Sequence, residues 1–151
     1  MSAYSTIVVG TDGSESSYVA VEKAAALAAG AGAKLVLACA YYPNDDRDTA
    51  AAADVLKDDA YQVRGGAPTD DILRTAREKA KAIGVAEIVD RPIVGAPVDA
   101  LLDLTQAVDA DLLVVGNRGL NSLTGRLLGS VPSDAARKAK CDVLIVHTSR
   151  R

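Results

Sequence analysis

The sequence predicts a doubly wound α/β fold built on a parallel sheet, and three observations predict it. Five short runs rich in β-branched residues recur along the 151 residues. Ala-rich segments of helical period separate most of them. Several of the apolar runs end on glycine, in "VVG" or "IVG". Alternating strands and helices imply βαβ units with right-handed crossovers. A chain of this length makes one domain, 1–151, with no room for a second core.

The first strand is "TIVVG", 6–10. "SYVAVEKAAALAAGAGA", 17–33, follows as a helix stopped at Gly30 or Gly32. Asp12 or Ser14 caps it, and Glu15 stands three residues after Asp12, as a capping box requires. "KLVLACA", 34–40, is the second strand. The acidic, Pro-containing start of 41–68 reads as an exposed loop, with room for a helical turn within 49–62. "TDDILRTAREKAKAIG", 69–84, is a helix capped by Thr69 or Asp70 and stopped by Gly84. "EIVDRPIVG", 87–95, is a strand, and "PVDALLDLTQAV", 97–108, a helix with Pro97 at its first position. "DLLVVG", 111–116, "PSDAARKA", 132–139, and "DVLIVH", 142–147, complete the pattern as strand, helix and strand. Most strands are continuously apolar, as expected of central parallel strands covered on both faces.

Composition narrows the function. Seventeen basic and 20 acidic residues leave a net charge of −3, which argues against nucleic acid or an anionic membrane as the main partner. With no signal peptide and no apolar stretch of about 18 residues, the chain reads as cytoplasmic. Cys39 and Cys141 show no metal spacing and fall toward opposite ends of the sheet, so both are expected to be free, buried thiols.

Gly10, Gly95 and Gly116 each close a strand, and in a doubly wound sheet those ends share one edge. Ligands bind there, where strand order reverses. At the first strand exit, "VVGTDGSESS", a plain capped turn competes with a ligand role for Asp12, whose carboxylate could accept hydrogen bonds from ribose or adenine. At the fourth, "GNRGLNSLTGRLLGS" (116–130) places glycines at 116, 119 and 129, with Ser130 next and Ser133 soon after. Phosphate sites want clustered backbone N–H groups, no Cβ in the way and a helix N-terminus. The alternative is a strand exit, a short amphipathic segment and a helix cap. No Lys follows Gly129, so this is not the triphosphate loop GxxxxGK[ST], and it is not GxGxxG either.

Glycine, two residues, glycine, nine residues, glycine, serine resembles the ATP-binding pattern of the universal stress protein family. Gly116, Gly119, Gly129 and Ser130 match it, and "TIVVGTDGSESS", "IVGAPVDALL" and "DVLIVH" are similar to that family too. The resemblance covers essentially the whole chain. It implies a Rossmann-like (adenine nucleotide alpha hydrolase-like) three-layer sandwich with a five-stranded parallel sheet of order 3-2-1-4-5. It also implies a bound adenine nucleotide: ATP, AMP or cyclic AMP, with Mg²⁺ near Asp12 if ATP is taken. Gly10, Thr11 and Asp12 would border adenine and ribose, and Ala40 would line the adenine pocket. Gly116 and Gly119 would let the backbone approach ribose and phosphate, with Asn117 and Arg118 between them as further candidate nucleotide contacts. Gly129, Ser130, Val131 and Ser133 would hold phosphates. Arg118 and Arg126 lie outside the family pattern as phosphate contacts or solvated surface. Pro132 removes one donor near that phosphate site, which suits a ligand with fewer phosphates.

The resemblance further implies a homodimer paired through the last strand, at Val143, Leu144, Ile145, Val146 and His147. No catalytic constellation accompanies the glycine pattern. His147, the single histidine, ends a strand, and paired aspartates such as Asp45–Asp46 diverge on any regular element. The expectation is a non-catalytic binding module in stress adaptation, at most a slow ATPase. A dimeric interaction module with a vestigial pocket is the remaining alternative.

Overall fold

A computed structural model describes residues 3–42, 66–118 and 130–148, and only the backbone at Gly66, Ala67, Ser130 and Val131. In chain order the elements are β1 (Thr6–Gly10), α1 (Glu15–Ala31), β2 (Lys34–Tyr41), α2 (Gly66–Ile83), β3 (Ile88–Val94), α3 (Pro97–Ala107), β4 (Leu112–Gly116), α4 (Ser130–Lys138) and β5 (Asp142–Val146). The sheet order is β3-β2-β1-β4-β5, and every neighbouring pair is parallel. Parallel pairing needs a crossover between strands, and each of the helices supplies one.

Alternation along the strands sorts the core into two layers. Ile7, Val9, Leu35, Leu37, Leu112 and Val114 face α1 and α2, while Val8, Val36, Leu113 and Val115 face α3 and α4. Val8 stands in register with Val36 on one side and Leu113 on the other, all fully buried. Each such side chain contributes about 1.5–3 kcal/mol of burial. Helix α1 meets the sheet through Ala20, Val21, Ala24, Ala25 and Ala28. Small side chains at that helical spacing let the helix lie close on the strands.

All four helices expected from the sequence are present, and three of them start earlier than expected. Ser14, not Asp12, caps α1: its hydroxyl accepts from the Ser17 N–H at 3.2 Å, and Gly32 ends the helix in the left-handed region at φ 66°. The Asp12–Glu15 capping box is therefore absent. Asp12 instead takes the Ser14 N–H at 2.9 Å, fixing the turn before the cap. Helix α2 starts at Gly66, which places Thr69 inside its first turn, fully buried, rather than at a cap. Gly84 ends α2, donating to the carbonyls of Ala80 and Lys81. Helix α4 starts at Ser130, so Pro132 lies within the first turn instead of opening the helix. Proline is tolerated there because first-turn N–H groups have no intrahelical acceptor. The helical turn expected within 49–62 lies outside the described residues. Both cysteines are free, but only Cys39, near the carboxyl end of β2, is buried as expected; Cys141, just before the start of β5, is half-buried because it stands outside the strand at the sheet edge.

Candidate functional site

Strand order reverses between β1 and β4, so the crevice of interest lies beyond their carboxyl ends. The β1 exit is braced from within. Gly10 pairs with Ala38, and the Thr11 N–H donates to the Ala38 carbonyl at 2.9 Å. The Thr11 side chain is 1% exposed. Its Oγ1 accepts from the Gly13 N–H at 3.2 Å and lies 2.7 Å from the Ser17 hydroxyl. Ser17 Oγ already donates to the Ser14 carbonyl at 2.8 Å, so the Thr11 hydroxyl is the donor between the two. The chain runs Gly13, Thr11, Ser17, Ser14, and it consumes both hydroxyl protons. Thr11, expected to border a ligand, spends its hydroxyl on the turn itself.

Asp12 remains as the open polar group of this turn. It is half-buried, one oxygen holds Ser14, and the other has no partner among the described residues. Its charge is felt below. Burial pushes the Cys39 thiol up to about 12, with the Asp12 carboxylate adding to the rise and a Thr69 hydrogen bond opposing it. Burial likewise raises Tyr18, against a hydrogen bond from Thr75 and with Cys39 and Asp12 adding to the rise. Gly13 takes φ +85°, and a Cβ there would lie 2.9 Å from Ile72 Cγ1 on α2. This glycine serves the turn and its contact with α2 together. Ala40, near the end of β2, is half-buried and small enough to leave room at the edge.

At the β4 exit, Gly116 is buried and stands in register with Val146. A Cβ at Gly116 would sit 3.0 Å from the Thr148 methyl and 3.9 Å from the Ser16 carbonyl. The space a side chain would fill is thus taken by this chain. Asn117 ties the exit to the end of β5. Its N–H donates to the Val146 carbonyl at 2.7 Å, and its Oδ1 accepts from both the Thr148 N–H (3.0 Å) and hydroxyl (2.8 Å). Those two donors fix the carboxamide orientation, so Nδ2 donates to His147 Nδ1 at 3.2 Å. Arg118 is exposed. Gly119, Arg126 and Gly129 lie outside the described residues. Ser130 and Val131 open α4, Pro132 is buried in its first turn, and Ser133 is exposed beside it.

Sequence reasoning reached Gly10, Asp12, Ala40 and Gly116 at this edge and missed Ser17 and Thr148. "SESS" signals only a cap, and a threonine past the last strand carries no pattern. A second, open cleft lies at the opposite edge, lined by Thr105, Gln106, Asp109, Ala110, Lys140 and Cys141. It contains none of the residues singled out at the glycine-lined edge.

Residues 3–147 match the model of the universal stress protein family. The chain is also 58% identical to universal stress protein Rv1636 of Mycobacterium tuberculosis, across 99% of this chain and 100% of that one. The chain belongs to the universal stress protein family. A crystal structure of a universal stress protein in complex with cAMP is 51% identical to it, covers 98% of this chain and 100% of that chain, and superposes with a TM-score of 0.75. Universal stress protein UspA from Lactobacillus plantarum is 21% identical, over 97% and 100% of the two chains, with a TM-score of 0.75; it shares the fold. The observed order β3-β2-β1-β4-β5 is the expected one for a universal stress protein. In that frame β5 is an edge strand, with Val143 and Leu144 half-buried, Ile145 43% exposed, Val146 buried and His147 exposed. No described helix is long and apolar enough to cross a membrane.

Proposed function

We propose that this universal stress protein binds an adenine nucleotide, cyclic AMP in the first place, in the crevice between the ends of β1 and β4. It acts as a non-catalytic module of stress adaptation. One observation carries this: the 51%-identical universal stress protein, matched across 98% of this chain, is in complex with cAMP. The glycine spacing 116, 119, 129 followed by Ser130 supports it.

Electrostatics sorts the two ends of the ligand. Phosphate is repelled by Asp12 and favoured at the start of α4, where first-turn N–H groups and the positive end of the helix dipole converge. The free Asp12 oxygen suits a ribose hydroxyl or the adenine amino group, both donors. Gly10 and Ala40 keep the adenine end uncrowded. Pro132 takes one N–H away from the α4 turn, which suits the single phosphate of cyclic AMP better than the three of ATP. Magnesium would arrive with a triphosphate, since no group of three or more acidic, His or Cys side chains among the described residues is arranged to hold a metal. A second copy of the chain pairs along β5, covering the exposed Ile145 and the free edge of the sheet.

Mass spectrometry of ligand released from freshly purified protein tests the reading, followed by calorimetric titration of the stripped protein with cyclic AMP, AMP and ATP. Binding of cyclic AMP is expected, on a particle whose light-scattering mass is that of a dimer. Absence of heat with all three nucleotides refutes the binding reading, and a monomer mass refutes the pairing.

A further inference from the structure

The tail beyond β5 packs against the exit of β4. Thr148 is 4% exposed although it follows the exposed His147. Its methyl lies 3.0 Å from where a Gly116 Cβ would stand, a point that also has the Ser16 carbonyl at 3.9 Å and the Ala20 Cβ at 4.0 Å. Asn117 holds it there. The Asn117 carboxamide takes both donors of Thr148, at 3.0 and 2.8 Å, while the Asn117 N–H reaches back to Val146 at 2.7 Å. Asn117 is therefore held twice, by its backbone N–H on β5 and by its side chain on the tail. Asn117 is the first residue beyond β4, so these bonds fix how the chain leaves the strand.

We propose that Asn117 is a positioning residue of the nucleotide site. Acting through Thr148, it packs the tail of β5 against Gly116 and so fixes the exit of β4 at the edge of the crevice. This rests on the binding reading above, and it gives Gly116 a different reason to be glycine. The missing side chain makes room for Thr148, and only through that packing for the ligand. The edge strand and the nucleotide crevice are then one mechanical unit, with the tail as a wall of the site.

The test is calorimetric titration of the full chain with cyclic AMP, with the thermal midpoint of each variant recorded alongside. Asn117→Ala is expected to weaken binding roughly tenfold and Thr148→Val roughly threefold, the weight of the hydrogen bonds each removes. Gly116→Ala is expected to weaken it further, since its Cβ meets the Thr148 methyl at 3.0 Å. Thr148→Ser keeps the hydroxyl and deletes that methyl, so the Gly116→Ala/Thr148→Ser double variant regains affinity. Rescue by a residue that is not itself lost to the ligand is the signature of positioning. Three results overturn it. Asn117→Ala could lower only the midpoint and leave affinity within twofold. Asn117→Ala could lose affinity while Thr148→Val does not, which makes Asn117 a direct ligand contact. The double variant could stay as weak as Gly116→Ala, which makes Gly116 a surface for the nucleotide itself. If the unaltered protein takes up no nucleotide, the binding reading fails and the positioning role falls with it. The unaltered protein's own titration separates that failure from the other three.

Discussion

Replacing Thr11 by valine separates a turn-building hydroxyl from a ligand-binding one. Valine matches the shape of threonine, so the change deletes one oxygen from a side chain that is 1% exposed. Two hydrogen bonds go with it: the 2.7 Å bond to Ser17 and the 3.2 Å bond from the Gly13 N–H. Ser17 keeps its donation to Ser14 and loses only an incoming proton, which is cheap. The Gly13 N–H loses its acceptor in a half-buried turn. Leaving a donor unsatisfied costs about 1–3 kcal/mol, so a loss near 2 kcal/mol is expected, or roughly 4–8 °C in the melting midpoint for a chain of this size. Urea unfolding with linear extrapolation measures it, and an unchanged slope shows that the denatured state is unaltered. Ser17→Ala removes the other end of the same bond. The pair should therefore couple by about 0.5–1.5 kcal/mol in a double-mutant cycle. A stability loss below about 0.5 kcal/mol together with a tenfold loss of cyclic AMP affinity would refute this assignment. Thr11 would then present its hydroxyl to the nucleotide.

Two further outcomes follow from the neighbouring residues. Gly13→Ala forces a side chain into φ +85° and places its Cβ 2.9 Å from Ile72 Cγ1, for about 1–2 kcal/mol of backbone strain and about 1–3 of overpacking. Adding Ile72→Ala should relieve the second part alone, and strictly additive losses in urea unfolding would show that the two residues do not meet. Burial holds the Cys39 thiol at about 12 against an ordinary value of 9.0, so between those pH values the native state keeps a proton that the unfolded chain has lost. Stability therefore falls as pH rises through that window, by up to about 4 kcal/mol at its top. The measure is the difference between the unaltered chain and Cys39→Ala, which cancels the tyrosines and lysines titrating in the same range; parallel pH profiles would contradict the burial of the thiol.

Element identity was legible wherever one periodicity prevailed. The continuously apolar strands and the Ala-rich α1 had no competing pattern, and the sheet alternation then assigned Val8 and Val9 to opposite faces without ambiguity. Helix starts were harder because several polar residues compete for each N-terminus. Asp12 and Ser14 both have capping side chains, and geometry gave each a different N–H: Ser14 for Asp12, Ser17 for Ser14. Thr69 has capping chemistry as well, yet α2 begins three residues earlier at Gly66 and draws it into the core. Gly10, Asp12 and Gly116 were legible as edge residues because strand ends in a parallel sheet share a side. The tail contact was not, since the partners Asn117 and Thr148 are separated by 31 positions and belong to no local motif.

The glycines at this edge look alike in sequence and differ in what they make room for. Gly13 accommodates Ile72 of α2 and a left-handed turn, and Gly116 accommodates the Thr148 methyl. Both vacancies are filled by protein. A glycine after a strand in such a fold is commonly taken as space for a phosphate, but here the backbone is first brought against other parts of the chain. The two contacts act on opposite walls of the crevice: α2 against the β1 turn, the β5 tail against the β4 exit. Both walls therefore have their positions set by packing before any ligand arrives. That lowers the ordering cost of binding, because the peptide groups to be presented are already held. Affinity at this site should thus respond to substitutions at Ile72 and Thr148, neither of which carries a charge or belongs to the glycine pattern.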